Sequence, residues 1–178
     1  MPNNPSTPLI LIDKAALRVA ASNITDGAVT PGYQADRKEV IKLLNNALAT
    51  ELVCLLRYKR HYFIANGLQN GPIKTEFLRH AQEEQVHADL LAERIVQLNG
   101  QPDFNPATLI ERSHAEYNDD IQIKGMITAN LIAERIAIEA YRQMIHFIGD
   151  KDPTTSQMLT LIMASEEQHA DDMRDLLA

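Results

Sequence analysis

Two segments near opposite ends of this 178-residue chain carry the same cluster of acid and imidazole. Glu83-Glu84-Gln85-Val86-His87-Ala88-Asp89 and Glu166-Glu167-Gln168-His169-Ala170-Asp171 share the pattern E-x-x-H-A-D when aligned on the histidine. Residues three apart on a helix lie about 60° apart around its axis, so Glu84 and His87 share a face, as do Glu166 and His169. The doubled acids leave a choice, because Glu83 also stands four residues before His87. Its counterpart in the second copy is Ser165, so only Glu84 and Glu166 serve in both. Glu83 and Glu167 are expected to support the pair from outside or to face solvent.

The repeat extends beyond the histidines. Glu51 lies 33 residues before Glu84 and is followed seven residues later by Tyr58. Glu134 lies 32 residues before Glu166 and is followed seven residues later by Tyr141. Both glutamates interrupt strongly apolar stretches, ATELVCLL and NLIAERIAI. A carboxylate on an apolar face is costly unless it is paired or bound to a cation. Four such acids converging on one core with two imidazoles would repel one another, and two divalent cations would balance them. Mixed oxygen and nitrogen donors suit iron and manganese. One E-x-x-H is weak evidence; two, each preceded by a core-facing Glu at near-equal distance, make a specific pattern.

Composition sets the frame. Seven glycines and 5% aromatic residues point to helices rather than sheet. The length suits one ordinary domain with a full core. A net charge of −7 argues against a nucleic-acid surface, and the opening MPNNPSTP holds no Lys or Arg to make a DNA-binding arm. That opening lacks the features of a signal peptide, and no apolar run approaches membrane-spanning length. The single cysteine, Cys54, excludes an internal disulfide. A cytoplasmic protein is the plain expectation.

Along the chain, residues 1–12 read as extended or disordered, and Asp13 to about Asn23 as a short helix before the loop TDGAVTPGY. Together they make an N-terminal extension over 1–35. Asp36 with Glu39 fits a capping-box start for a long helix that runs to about Asn66-Gly67. Gly71-Pro72 opens a second helix that stops at Asn99-Gly100. Gln101 to about Asn118 is loop, with a turn of helix near 107–112. A third long helix covers roughly 119–148, and Asp152-Pro153 starts a fourth that continues to the C-terminus. Short links join the first helix to the second and the third to the fourth, and a long one joins the second to the third. The expected fold is all-α: a four-helix bundle over 36–178 with one long crossover.

A Glu from each of two helices and an E-x-x-H from each of the other two is the arrangement of ferritin-like di-iron carboxylate bundles, and the roles that follow come from that match. It implies that Glu51 and Glu134 are terminal ligands. Glu84 and Glu166 would bridge two metal ions, and His87 and His169 would each bind one. From Asp36 onward the chain resembles bacterioferritin, above all in NNALATELVCLLRYKRHYF and HADLLAERIVQLNGQP. The resemblance implies a ferroxidase centre at these six residues, with Tyr58 beside it and involved in electron transfer. It implies two iron ions per subunit, with manganese as an alternative. The family's haem-binding methionine is here Gln85, which argues against haem. The chain ends nine residues after His169, without room for the family's short fifth helix, and about thirty-five residues precede the bundle. Both departures are similar to the twelve-subunit Dps family, so a shell of twelve or of twenty-four subunits is expected.

The expected function is an iron-oxidising storage or detoxification protein that takes Fe2+ and O2 or H2O2. A rubrerythrin-like peroxidase or oxidase and a DNA-coating Dps-type protein are the alternatives. One cysteine excludes a rubredoxin domain, and the acidic balance counts against DNA. Among other residues, Tyr141 is expected to hydrogen-bond a ligand carboxylate and Cys54 to be a small buried hydrophobe. His80, two turns before His87, is expected exposed, with a place beside the site or at its entry as the alternative. Met126, Met144, Met158, Met163 and Met173 are expected to fill the core. Asp89 and Asp171 either orient the metal-binding groups or pair with arginines.

Overall fold

A computed structural model of the chain describes residues 12–65 and 70–178. The expectations for the first eleven residues and for a helix end at Asn66-Gly67 lie outside that range. The described residues form six α-helices: α1 (Lys14–Ala20), α2 (Arg37–Ile64), α3 (Gly71–Gln97), α4 (Leu109–Arg112), α5 (Ile123–Ile148) and α6 (Pro153–Asp175), with a 3-10 turn over Gly149–Lys151. The long ones, α2, α3, α5 and α6, make the bundle. α2 lies along α3 and α5 along α6, and the stretch from 98 to 122, with α4 inside it, is the crossover.

The ends follow local chemistry. Asp36 caps α2 by accepting the amides of Lys38 and Glu39 at 3.1 and 3.2 Å. Only that half of the expected capping box forms, and the Glu39 carboxylate lies instead 3.7 Å from Lys42. α3 ends with Asn99 at φ 61° and two reverse bonds, from Gly100 N to Ile95 O (2.8 Å) and from Asn99 N to Val96 O (2.9 Å). A side chain at Gly100 would meet Ile41 Cγ2 at 2.9 Å, so the turn also needs glycine to pass close to α2. α5 begins four residues later than expected. Asp120 N bonds the Asn118 side chain and Gln122 N bonds that of Asp120, which diverts those amides into turns.

Two apolar clusters fill the bundle. One holds Leu44, Leu48, Leu91, Ile95, Ile148 and Leu159, and the other holds Phe77, Ala81, Met126, Ile127 and Met173. Of the five methionines expected in the core, Met126, Met144 and Met173 are buried, and Met158 and Met163 pack partly buried against the first cluster. On every long helix the acid of interest lies between the two clusters, so all four reach one level of the bundle. At the end near Asp152 a polar clasp joins three segments. Arg94 on α3 bonds Asp152 at 2.9 and 3.2 Å and Thr155 at 2.8 Å, and the Tyr33 hydroxyl donates to Asp152 at 3.0 Å. Tyr33 thereby fastens the segment that precedes α2 to the start of α6.

Candidate metal centre

α2 supplies Glu51 and α5 supplies Glu134, while α3 and α6 supply one E-x-x-H each. All four carboxylates are at most 1% exposed, and His87 and His169 are also buried. Ligand atoms of Glu51, Glu84, His87 and Glu166 all lie within 4.8 Å of one another, and so do those of Glu84, Glu134, Glu166 and His169. The two groups share Glu84 and Glu166, so the two middle acids lie between two candidate cation positions. Both imidazoles turn Nδ1 inward. His87 Nδ1 lies 2.8 Å from Glu166 and 3.2 Å from Glu51; His169 Nδ1 lies 3.1 Å from Glu166 and 3.6 Å from Glu84.

The tyrosines cross over between the halves. Tyr58 on α2 donates to Glu134 Oε1 at 2.5 Å, and Tyr141 on α5 donates to Glu51 Oε1. Each outer acid is thus held by the other hairpin's phenol, as expected for Tyr141. Burial and the neighbouring carboxylates push both phenols well above their ordinary pKa, which keeps the hydroxyls as donors.

The charges are unbalanced. Burial, then the nearby Glu84, raises Glu51 to about 8, and burial with Glu51 raises Glu166 to about 7. Glu134 is instead drawn down to about 2, because the charge of the His169 imidazole, 3.9 Å away, outweighs burial. Burial opposes charge on His87, yet hydrogen bonds to Glu166 and Glu51, with the Glu84 carboxylate close by, lift it to about 12, and His169 is lifted likewise. The imidazoliums thus act as the local counter-cations. Even so, Glu84 Oε1 and Glu134 Oε2 are buried with no hydrogen-bond partner. Buried acceptors left in this way are costly, and oxygen-seeking cations satisfy them. The donor set therefore fits two divalent transition-metal ions.

The ferritin-like domain family matches residues 41–178. The chain belongs to that family. Bacterioferritin from Desulfovibrio desulfuricans is 26% identical over 140 residues, which cover 78% of this ferritin-like chain and 74% of that one. Among solved structures, a dodecameric thioferritin, the bacterioferritin-related protein from Bacteroides fragilis, superimposes with a TM-score of 0.77 at 32% identity, covering 81% of this chain and 87% of that one. Dps from Thermosynechococcus elongatus superimposes with a TM-score of 0.75 at 22% identity, over 79% and 91% of the two chains, and shares the fold.

Several residues around the centre of this ferritin-like chain escape sequence reasoning. His80, expected exposed, is fully buried: its Nδ1 is 3.0 Å from the Tyr58 hydroxyl and its ring stacks on His169. Its spacing of two turns before His87 was the available signal. Glu83 does support the site, but on the opposite helix, with Oε2 2.7 Å from His169 Nε2. Arg57 is fully buried and bonds Asn130 Oδ1 (2.9 Å), the Glu116 carbonyl (3.1 Å) and Cys54 Sγ (3.3 Å). Cys54 is the buried thiol expected, raised well above its ordinary pKa by burial. Asp89 accepts from Gln85 and Asp171 from Arg174, both at the surface, so neither orients the buried groups. Asp172 does face the site's edge, through Arg79 and His80. Among the described residues no helix is long and apolar enough to cross a membrane.

Proposed function

We propose that the chain is a ferroxidase of the iron-storage and detoxification kind, oxidising Fe2+ with O2 or H2O2. The observation that carries this is the pair of buried ligand groups sharing Glu84 and Glu166. In this reading Glu51 and Glu134 would hold one ferrous ion each, His87 and His169 would offer Nδ1, and Glu84 and Glu166 would serve both ions. Each ferrous ion gives up one electron. Peroxide accepts both with two protons and leaves as two waters; dioxygen accepts both with two protons and leaves as hydrogen peroxide. Tyr58 and Tyr141 keep the outer acids aimed inward throughout. Loading requires His87 and His169 to shed their Nδ1 protons, so uptake of iron releases protons and weakens in acid.

The relatives support the class: bacterioferritins match most of the chain, and the Bacteroides relative is a dodecamer. We extend that to a twelve-subunit shell here, built from the bundle over 36–178, with 1–35 as an extension to it. The decisive experiment is ferrous oxidation in air by the intact protein and by Glu51→Ala and His169→Ala. Each variant is expected to oxidise iron at least tenfold more slowly while keeping its helical circular dichroism. Unchanged rates in both would remove these residues from the chemistry. Iron content after loading separates storage from a rubrerythrin-like oxidase, which would hold only two ions per chain.

A further inference from the structure

The two halves of the centre repeat one another in their inward-facing donors but not in what stands behind the histidines. His169 is locked from outside. Its Nε2 lies 2.7 Å from Glu83 Oε2, and Glu83 is itself gripped by Arg79 Nη1 through both oxygens at 2.9 and 3.0 Å. Arg79 is anchored in turn to Glu76 (2.9 Å) and Asp172 (2.5 Å). The face of the His169 ring is covered by His80, with ring centroids 4.1 Å apart and planes 19° apart. His87 has no such support. Among the described residues its polar contacts all fall on Nδ1, to Glu51, Glu84 and Glu166. The repeat places Ser165 where the other half has Glu83, too short to reach across as that carboxylate does. His87 is also the more open of the two, 6% exposed against 1% for His169.

We infer that the two metal positions are unequal by construction: the one made with Glu134 and His169 fills first and holds its ion, and the one made with Glu51 and His87 exchanges. This rests on the two-metal reading of the site. A carboxylate on Nε2 fixes the proton there in the neutral ring, leaving the Nδ1 lone pair free and aimed at the metal, and raises its donor strength. His87 must select both tautomer and rotamer when an ion arrives, which costs side-chain entropy at each binding event. Glu83 is therefore a positioning residue that acts on the metal through His169. Its role gives the protein a retained ion beside one that turns over.

The test is calorimetric titration of Co2+ into the metal-free, full-length protein under argon. Two steps are expected, the first at least tenfold tighter. Glu83→Ala should weaken the tight step by about 10- to 100-fold and leave the weak step in place, and Glu83→Gln should fall between. A second readout uses the unaltered Co2+-loaded protein. One exchange-protected, paramagnetically shifted imidazole N–H resonance is expected in its proton NMR spectrum, from His169, and it should vanish in Glu83→Ala. Two ions bound with equal affinity, or a Glu83→Ala titration that superimposes on the unaltered one, would overturn the inequality and leave the two-metal centre standing. No Co2+ binding at all would overturn both. Should Glu83→Ala fail to fold, the step separation and the N–H resonance of the unaltered protein still decide the matter.

Discussion

His61 shows how much a single buried residue can make stability depend on pH. It is fully buried against Phe77, with ring centroids 5.6 Å apart, and neither ring nitrogen has a hydrogen-bond partner. Burial, then the Arg57 charge, lowers its pKa to about 4. The folded state thus keeps it neutral where the unfolded chain, near 6.5, takes up a proton. Between those values the unfolded state binds more protons, so this residue's contribution to stability rises with pH and is lost as pH falls from about 6.5 towards 4. His61→Phe removes that dependence. Relative to the unaltered protein, the variant is expected to gain about 2 kcal/mol more at pH 5 than at pH 7.5. Urea denaturation at the two pH values checks it, and an equal difference at both would show that the ring is not neutral in the fold.

At the level of elements, the polar clasp at Asp152 joins three segments. Asp152 caps α6, with Thr155 N on Oδ1 at 3.0 Å, and the same carboxylate pairs with the buried Arg94 of α3 and accepts from Tyr33. Removing it strands a buried guanidinium as well as an open helix start. Asp152→Ala is therefore expected to cost about 3–5 kcal/mol, seen as a melting point lower by roughly 6–20 °C. Asp152→Asn keeps the cap and an acceptor and should lose less. Equal losses in the two variants would mean that the charge carries the effect and the cap contributes little.

For the whole molecule, the single chain leaves Leu56 and Phe63 of α2 and Val86 and Leu90 of α3 exposed, apolar side chains on the outside of the first hairpin. Surfaces of this kind are covered by subunit contacts in closed oligomers. With a chain mass of 20.0 kDa, the proposed twelve-subunit shell should scatter light as a particle of about 240 kDa. A particle twice that mass would point to twenty-four subunits, and a species of one or two chains would end the shell proposal.

The sequence alone determined the four long helices, the short and long links between them and the six inward-facing candidate ligands. Helix periodicity, caps and a repeated motif are local signals, and charged residues interrupting apolar faces mark a candidate cation site. Other features depended on how the helices pack. Glu83 and Ser165 read alike as neighbours of a motif, yet only Glu83 reaches a histidine, and it does so on another helix, 86 residues away. Tyr58 and Tyr141 share faces with Glu51 and Glu134 but bond the opposite pair. His80 reads as a surface residue until His169 covers its ring. A one-dimensional pattern fixes which face a side chain occupies. Its partner across the bundle is set by the register and rotation of the neighbouring helix, and those are settled only when all four helices pack together.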